Sequence, residues 1–425
     1  MTETQPATIV LGAGVVGLSV ALYLQRSGQR VTVIDPLPPA GGTSFGNAGL
    51  ISADQTVPIA TPGMLRKVPG WLTNPLGPLA VRPSYFPRAL PWLVRWIEAS
   101  RMPRVLEISD AMRALHRDAF ACWRELLGEE HFRDLIRTTG QVRLWQGNGD
   151  ASKIETTLCE RHGIRIERLG ADDLRQLFPG IARDLSQGLL VPGNGFTVSP
   201  QRLVRTLGAL LLQAGGEIIA ERALKILPRG GDGYMVMTNL ANRTAPRLVV
   251  ATGAWSRELL DPLGITIPLE SERGYHAMMP SPNIELRMPI SVKNLGFGLT
   301  PMEDGIRAAG TVEIGGLQAP PNEQRALALI EHARRIFPDL QTGEPRLWMG
   351  HRPSTPDSLP ILGEAPGRPN LFLAVGHGHF GLTGGPPSAR LIARLINREA
   401  PGLDPARYAI DRFKRGASGR NAQAA

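Results

Sequence analysis

A glycine-rich turn near the start of the chain restricts its fold most strongly. An apolar run at 8–11 leads into Gly-Ala-Gly-Val-Val-Gly at 12–17, then a helical pattern and a second apolar run that ends at Asp35. In such a strand–turn–helix–strand unit the three glycines permit the tight turn, the approach of a pyrophosphate and close helix packing. The helix amides then face the anion, and Asp35 is placed to bind a ribose. The pattern predicts a dinucleotide-binding site, and the alternative is a turn that only packs a helix on a strand.

The composition is that of a globular protein with room for two or three domains. The chain has 425 residues, of which 42% are hydrophobic and 20% charged. Cys122 and Cys159 are isolated, which argues against a disulfide framework, predicts no metal site and favours a reducing compartment. The sequence shows neither a signal-peptide pattern nor an apolar run of roughly 20 residues. We therefore expect a cytoplasmic protein.

The net charge of +9 is spread over the chain. Its excess consists mostly of single arginines, and the one compact basic stretch is the tail at 407–420. This distribution does not favour nucleic-acid binding. It is more typical of a protein with anionic ligands, or of one that meets an acidic membrane surface.

Hydrophobic periodicity places the main elements. Helices are predicted at 105–127, 151–163, 200–214, 322–336 and 387–398, and strands at 140–145, 218–220, 248–251 and 371–375. Alternating strand and turn signals at 268–317 indicate an antiparallel sheet. No repeat or low-complexity linker separates these patterns, so we expect interleaved domains.

Residues 56–104 combine many prolines with tryptophan and arginine, including Trp71, Trp92, Trp96 and Arg66. The prolines interrupt this segment too often for one long helix. One hypothesis is an irregular cap packed on the body of the protein. The other is a lid over the active site, or a patch that contacts a membrane through cationic and aromatic side chains.

Three glycine sites follow predicted strands, at 12–17, 251–253 and 376–381. A nicotinamide cofactor needs only the first, because it leaves after each turnover. A resident flavin needs more, since a later strand–turn–helix can direct backbone amides at the flavin ring and stabilise its reduced form. The set therefore favours FAD over a nicotinamide cofactor.

Several further motifs resemble the FAD-dependent D-amino acid dehydrogenase and oxidase family, within the wider group of glycine and sarcosine oxidases. They are Gly-Asn-Ala-Gly-Leu-Ile at 46–51, Arg-Gly-Tyr at 273–275, Gly-His-Arg-Pro-Ser-Thr-Pro-Asp at 350–357 and Gly-His-Gly-His-Phe-Gly-Leu-Thr at 376–383. The resemblance, which is strongest to the bacterial D-amino acid dehydrogenases, extends from about residue 7 to 398.

The resemblance implies an α/β fold: a Rossmann-type FAD-binding domain with an interleaved substrate domain on a mixed or antiparallel sheet. The FAD-binding domain is expected to comprise 1–55, 195–265 and 345–425. The substrate or cap domain is expected to comprise 56–194 and 266–344.

The resemblance also implies the catalytic groups Arg352, Tyr275 and His377. Arg352 would bind the substrate carboxylate, for which a guanidinium fork is well suited. Tyr275 would add a hydrogen bond to the same carboxylate, and His377 lies beside the expected flavin edge. Each has a purely structural alternative: a surface arginine, a core tyrosine and a packing histidine.

The resemblance further implies a set of cofactor-binding residues along the chain. These are Gly12, Ala13, Gly14, Val15, Val16, Gly17, Asp35, Ser44, Asn47, Ala48, Gly49, Leu50, Leu224, Ala251, Gly253, Trp255, Gly350, Gly378, His379, Gly381, Leu382 and Thr383. Arg307 and Glu313 are expected on a strand that faces the pocket. Residues 348–351 contain no cysteine, although some relatives attach flavin there, so non-covalent FAD is implied.

The activity implied is oxidation of a D-amino acid to a 2-oxo acid and ammonia, with hydride passing from Cα to flavin N5. The electron acceptor implied is a quinone rather than oxygen, with peripheral contact at the inner face of the cytoplasmic membrane. Oxidation of a secondary amine such as a D-hydroxyproline, D-proline, sarcosine or glycine type substrate remains the enzymatic alternative. A NAD-dependent dehydrogenase and a flavin carrier without catalysis are the other classes considered.

Overall fold

A computed structural model of the protein describes residues 7–64, 70, 77–145 and 151–414. The strands are β1 Thr8–Leu11, β2 Val31–Ile34, β3 Leu50–Ile51, β4 Leu79–Val81, β5 Ile136–Arg137, β6 Gln141–Leu144, β7 Glu167–Leu169, β8 Gly188–Val191, β9 Gly195–Thr197, β10 Glu217–Ile219, β11 Ala223–Pro228, β12 Tyr234–Thr238, β13 Asn242–Ala245, β14 Arg247–Val250, β15 Glu270–Met279, β16 Ile290–Val292, β17 Phe297–Met302, β18 Gly305–Ile314, β19 Arg346–Ser354, β20 Ile361–Glu364 and β21 Leu371–Val375. The α-helices are α1 Val15–Arg26, α2 Phe86–Ala99, α3 Met102–His116, α4 Ala119–Leu135, α5 Ala151–Arg161, α6 Ala171–Leu177, α7 Pro200–Gln213, α8 Ser256–Leu260, α9 Glu323–Ile336 and α10 Gly381–Asn397.

The first sheet has the order β10-β2-β1-β14-β21-β20. Its first five strands run parallel, and β20 is antiparallel to β21. Helices α1, α7 and α10 pack on one face, and the small antiparallel sheet β11-β12-β13 shares a core with the other. Both faces are covered, which explains the nearly continuous apolar strand sequences. This is the predicted Rossmann-type arrangement.

The second sheet is long and mixed, with the order β19-β15-β18-β17-β16-β6-β8-β7 and β4 paired to β18. Helix α9 buries Ala326, Leu329 and Ala333 against one face of it. The opposite face of β15, β18 and β19 meets the loop that follows β2, as described below. The predicted antiparallel sheet at 268–317 is confirmed for β15 to β18.

Two parts of the chain differ from the predicted domain division. Strand β19 lies inside 345–425 but pairs with β15 along its full length, so it belongs to the second sheet. Helices α3 and α4 lie inside 56–194, yet their apolar residues Met112, Leu115 and Trp123 join the core of the first sheet. The backbone thus crosses between the two sheets more often than the sequence pattern suggested.

Two predicted helices also change. The helix expected at 105–127 is divided at Arg117 and Asp118 into α3 and α4. The last helix begins at Gly381 rather than at residue 387, although it contains Pro386 and Pro387. Proline removes an amide donor from a helix. The Leu382 carbonyl, which would have accepted from residue 386, instead accepts from Trp123 Nε1 at 2.9 Å.

Part of the proline-rich segment 56–104 is regular. Helix α2 has 14 residues, with Pro91 inside it and buried Trp92 and Trp96 on one face. Trp71 and Arg66 lie outside the described residues. Across the described ranges, no helix is both long and apolar enough to cross a membrane.

Candidate active site

Three glycine turns lie side by side at one edge of the first sheet. They follow the neighbouring parallel strands β1, β14 and β21, whose carboxyl ends meet there. At Gly12, with φ of 111°, an added Cβ would lie 2.4 Å from the Ala251 carbonyl oxygen. At Gly17 it would lie 2.0 Å from the Gly12 oxygen. Only glycine fits at these two positions, because each is closed by a neighbouring backbone.

The N-terminus of α1 and Asp35 complete the first turn. No acidic residue occupies the first turn of α1, and Val15 N donates to Ser44 Oγ at 3.0 Å. Asp35 closes the loop by accepting from the backbone N–H groups of Ala13 at 2.7 Å and Leu37 at 2.8 Å. Burial raises the pKa of Asp35, although these two bonds and the charge of Arg222 oppose the rise. The helix terminus suits a pyrophosphate, and an ionised carboxylate at the position of Asp35 suits ribose hydroxyls.

The loop at 43–49 is clamped between the two sheets. Asn47 Oδ1 accepts from Gly49 N at 2.8 Å, and Arg307 Nη1 donates to the Asn47 carbonyl at 2.6 Å. His276 Nδ1 lies 3.0 Å from the Gly46 oxygen, and a Cβ on Gly46 would strike the Trp348 ring. Burial lowers the pKa of Arg307 to about 10, so it remains charged at neutral pH. Arg307 therefore anchors the predicted cofactor loop.

Arg352 lies on the same side of the second sheet as this loop. Its guanidinium lies over Gly274, where an added Cβ would be 2.0 Å from the guanidinium carbon. Arg352 Nη1 donates to the Thr311 carbonyl at 2.8 Å, and Nη2 to the Gly310 carbonyl at 3.4 Å. Thr311 has a φ of 55°, a strained value for a β-branched residue. Neither carbonyl carries a formal charge, so the charge of Arg352 is not neutralised by these bonds.

Tyr275 does not accompany Arg352, which corrects the prediction of a shared carboxylate clamp. Side chains alternate along a strand, so Tyr275 lies on the other face of β15, in the core beneath α9. Its hydroxyl donates to Glu313 Oε2 and accepts from Asn322 N at 3.1 Å. Glu313 also accepts from Arg82 and Arg273. Glu313 likewise lies away from the pocket that it was expected to face.

The two histidines of the third turn have different surroundings from those predicted. His377 is buried, and its Nε2 lies 3.0 Å from Ser388 Oγ in α10. Burial lowers the pKa of His377 to about 3, which keeps the ring neutral. The structure thus supports the packing alternative for His377 rather than a catalytic role. His379 instead directs Nε2 at Glu272 Oε2, 2.7 Å away.

The other predicted cofactor residues fall along the same edge, with different degrees of exposure. Trp255 follows the second turn and contacts His351 edge-to-face at 5.4 Å. Thr383 Oγ1 accepts from Ser52 N at 2.9 Å, and Leu224 near the start of β11 is 55% exposed. The remaining residues lie in or next to the three turns and the loop: Ala13, Gly14, Val16, Ala48, Leu50, Gly253, Gly350, Gly378, Gly381 and Leu382.

The residues present fit FAD. Three adjacent glycine turns, of which the first is closed by backbone at Gly12 and Gly17, form a cradle for a dinucleotide together with a helix N-terminus and Asp35. The clamped loop at 43–49 extends this cradle toward Arg352. The two cysteines of the chain are buried in α4 and α5, where burial raises the thiol pKa to about 12 for Cys122 and about 11 for Cys159. Neither thiol is placed or activated for a covalent bond at the turns, in agreement with the expected non-covalent attachment.

Glu272 is a site residue that the sequence analysis missed. It is the direct cross-strand partner of Arg352, is 4% exposed, and bonds to both Ser354 and His379. A signal was present, because Glu-Ser-Glu-Arg at 270–273 puts three charged residues close together at the start of the predicted antiparallel sheet. Buried charges require a partner or a ligand.

The fold and the cradle define a two-sheet, FAD-binding oxidoreductase. The chain belongs to the DAO family of FAD dependent oxidoreductases, whose profile matches residues 7–395.

Among curated proteins, a D-amino-acid oxidase of Bradyrhizobium diazoefficiens is 37% identical over 416 residues, covering 95% of this chain and 98% of the relative. A D-amino acid dehydrogenase of Vibrio vulnificus is 32% identical over 418 residues, covering 94% and 99%.

Solved structures share the fold. The glycine oxidase of Geobacillus kaustophilus superposes with a TM-score of 0.73 at 21% identity, covering 96% of this chain and 98% of that one. The L-proline dehydrogenase of P. horikoshii gives 0.75 at 18% identity, covering 97% and 98%.

Proposed function

We propose that this enzyme oxidises the Cα–N bond of a D-amino acid, giving a 2-oxo acid and ammonia after hydrolysis of the imino acid. The observation that carries the proposal is Arg352, a cation to which no carboxylate of the described residues is bonded and which lies on the same side of the second sheet as the predicted cofactor loop. The names of the two curated relatives support the D-amino acid as substrate class.

The side chains act mainly by binding and orientation. Arg352 binds the substrate carboxylate by donating hydrogen bonds to it, because a guanidinium fork binds a carboxylate bidentately and stays charged when partly buried. The carbonyls of Gly310 and Thr311 fix the direction in which the guanidinium points. FAD, when bound, supplies the two-electron acceptor for the Cα hydrogen. Positioning of Cα then accounts for much of the rate.

The test is reduction of the bound flavin without oxygen. We expect bleaching of the FAD absorption by one or more D-amino acids in a panel that also contains L-amino acids, D-proline, D-hydroxyproline, sarcosine and glycine. A protein that purifies without flavin, or a flavin that no member of the panel reduces, contradicts the proposal.

Substitution of Arg352 tests the assignment of the carboxylate site. R352A should lower kcat/KM by a hundredfold or more, since a charged hydrogen-bonding partner contributes about 3 kcal/mol, while FAD stays bound. The matched control is R346A on the same strand, where Arg346 is 65% exposed and bonds to Asp304. It should change kcat/KM by less than about twofold. If kcat/KM is unchanged in R352A, the substrate carboxylate binds elsewhere.

We further propose that electrons leave to a membrane quinone through contact at the inner face of the cytoplasmic membrane. Helix α2 supports this proposal, since Phe86, Leu90 and Val94 form an exposed apolar stripe at four-residue spacing. The same helix carries the exposed Arg88 and Arg95. An apolar stripe with flanking cations is typical of a helix that lies in an anionic lipid interface.

This contact is tested with vesicles that contain anionic lipid and a quinone. L90E should reduce both vesicle binding and quinone-linked turnover severalfold, because a carboxylate would have to enter the interface. Turnover with a water-soluble dye should stay unchanged. L240E is the control, at a leucine between β12 and β13 that is 72% exposed, compared with 45% for Leu90. Equal quinone-linked turnover in both variants would remove α2 as the docking surface.

A further inference from the structure

A buried carboxylate lies beside Arg352. Glu272 on β15 and Arg352 on β19 are direct partners in an antiparallel pair, so their side chains share one face of the sheet. That face is the one directed at the cofactor loop. The two charges are close enough that each affects the pKa of the other. No hydrogen bond or ion pair joins the two side chains within the described part of the chain.

Glu272 is held as an anion by its surroundings. Burial acts to raise its pKa, but the interactions of Glu272 with His379, Ser354 and Arg352 together outweigh burial. The net result is a pKa below the ordinary value. A buried anion of this kind is costly to maintain unless it binds a cation.

The hydrogen-bonding capacity of Glu272 is only partly used. Oε2 accepts from Ser354 Oγ at 2.8 Å and from His379 Nε2 at 2.7 Å. Oε1 accepts from no residue in the described ranges. Glu272 and His379 also line a small cavity with Trp96 of α2 and Gly378 of the third glycine turn. Glu272 therefore keeps one open oxygen and borders a cavity beside the third glycine turn.

We propose that Glu272, held by His379, is the subsite that binds the ammonium group of the substrate, next to the carboxylate subsite at Arg352. The inference rests on the proposed function, since it assigns the second charged group of an amino acid. An amino acid carries its two charges on adjacent atoms. A glutamate and an arginine on neighbouring strands, each with unused hydrogen-bonding capacity, present the matching pair.

A structural role for Glu272 predicts something different. If Glu272 only orients Arg352 or stabilises the third turn, its loss weakens every carboxylate ligand alike. If it binds the ammonium group, its loss weakens only ligands that carry an amine. The two roles are thus separated by comparing ligands that differ in that group alone.

The experiment uses two non-reacting ligands on the FAD-loaded enzyme. 2-Aminoisobutyrate has no Cα hydrogen and cannot be oxidised, and pivalate is its isostere with a methyl group in place of the ammonium. Dissociation constants are measured from the change in flavin absorption and by calorimetry. We expect E272Q to weaken 2-aminoisobutyrate on the order of tenfold to a hundredfold, and pivalate by less than about threefold. R352K should weaken both ligands.

Two further variants complete the design. E270Q is the matched control, because Glu270 lies on the same strand, is 5% exposed and bonds to Tyr85. E270Q should leave the dissociation constants of both ligands within about threefold of the wild-type values. E272D keeps the charge on a shorter side chain and should weaken 2-aminoisobutyrate more than it weakens pivalate, relative to the wild type, which provides a second readout if E272Q retains too little FAD to titrate.

The outcomes are distinct. Equal weakening of the two ligands in E272Q, or no weakening of either, overturns the ammonium subsite and leaves the carboxylate site intact. The ammonium subsite is also overturned, with the carboxylate site left intact, if the wild-type enzyme binds pivalate as tightly as it binds 2-aminoisobutyrate. A wild-type enzyme that binds neither ligand contradicts the proposed function, and the subsite with it.

Discussion

Both faces of the second sheet carry arginine and glutamate side chains, but their hydrogen bonds are incomplete on one face and complete on the other. On the face toward the predicted cofactor loop, the described residues give Arg352 no partner other than backbone carbonyls and leave one oxygen of Glu272 open. On the face beneath α9, Glu313 accepts from Arg82, Arg273 and Tyr275, and both of its oxygens are used. The first arrangement is open to a ligand and the second is closed. Buried arginine and glutamate therefore indicate a binding site only where their hydrogen bonds are incomplete.

The largest expected effect lies on the closed face. E313Q should lower the free energy of unfolding by about 3–5 kcal/mol, because it leaves the buried Arg273 and the partly exposed Arg82 without their shared anion. Urea or thermal unfolding measures the change. E331Q, at an exposed ion pair on α9, should cost less than about 1 kcal/mol. A mild effect of E313Q would mean that the closed network contributes little to stability.

A smaller effect is expected for Y275F on the same face. Loss of the hydroxyl removes one donor to Glu313 and one acceptor for Asn322 N, at a cost of about 1–3 kcal/mol in stability. The kcat/KM of the folded enzyme should stay within about threefold, because Tyr275 lies away from Arg352. A fall of tenfold or more without loss of stability would restore the tyrosine to the carboxylate site.

The smallest effect on activity is expected for H377Q, with a change in kcat/KM of less than about threefold. The main effect of H377Q is expected in the pH dependence of the free energy of unfolding. The pKa of His377 falls from 6.5 to about 3 on folding. Between these two pH values the imidazole ring is therefore protonated in the unfolded chain and neutral in the folded chain. In the wild type, the contribution of His377 to the free energy of unfolding is fully present above pH 6.5, and it declines as the pH falls toward 3. H377Q should flatten that decline, and an unaltered pH dependence would contradict the neutral, packed state of His377.

Most of the fold follows from local pattern. The glycines at 12–17 require a turn closed by backbone, and the strands at 248–251 and 371–375 were recognisable because both faces of the first sheet are covered. The helix start at Gly381 could not be predicted, because the Leu382 carbonyl is satisfied by a distant Trp123. The placement of β19 in the second sheet likewise depends on pairing with a strand some 70 residues earlier in the chain.

The sequence by itself determined the dinucleotide cradle, since a glycine turn, the helix after it and Asp35 are contiguous and their chemistry is local. The resemblance of its motif also predicted Arg352 as the group that binds the substrate carboxylate. Only the tertiary structure decided which side chains accompany that arginine. The pairing of β15 with β19 brings Glu272 to the open face and sends Tyr275 to the closed one. The physical reason is that the direction of a side chain depends on strand register and on a bulge near residue 274, and both arise from contacts between segments far apart in sequence.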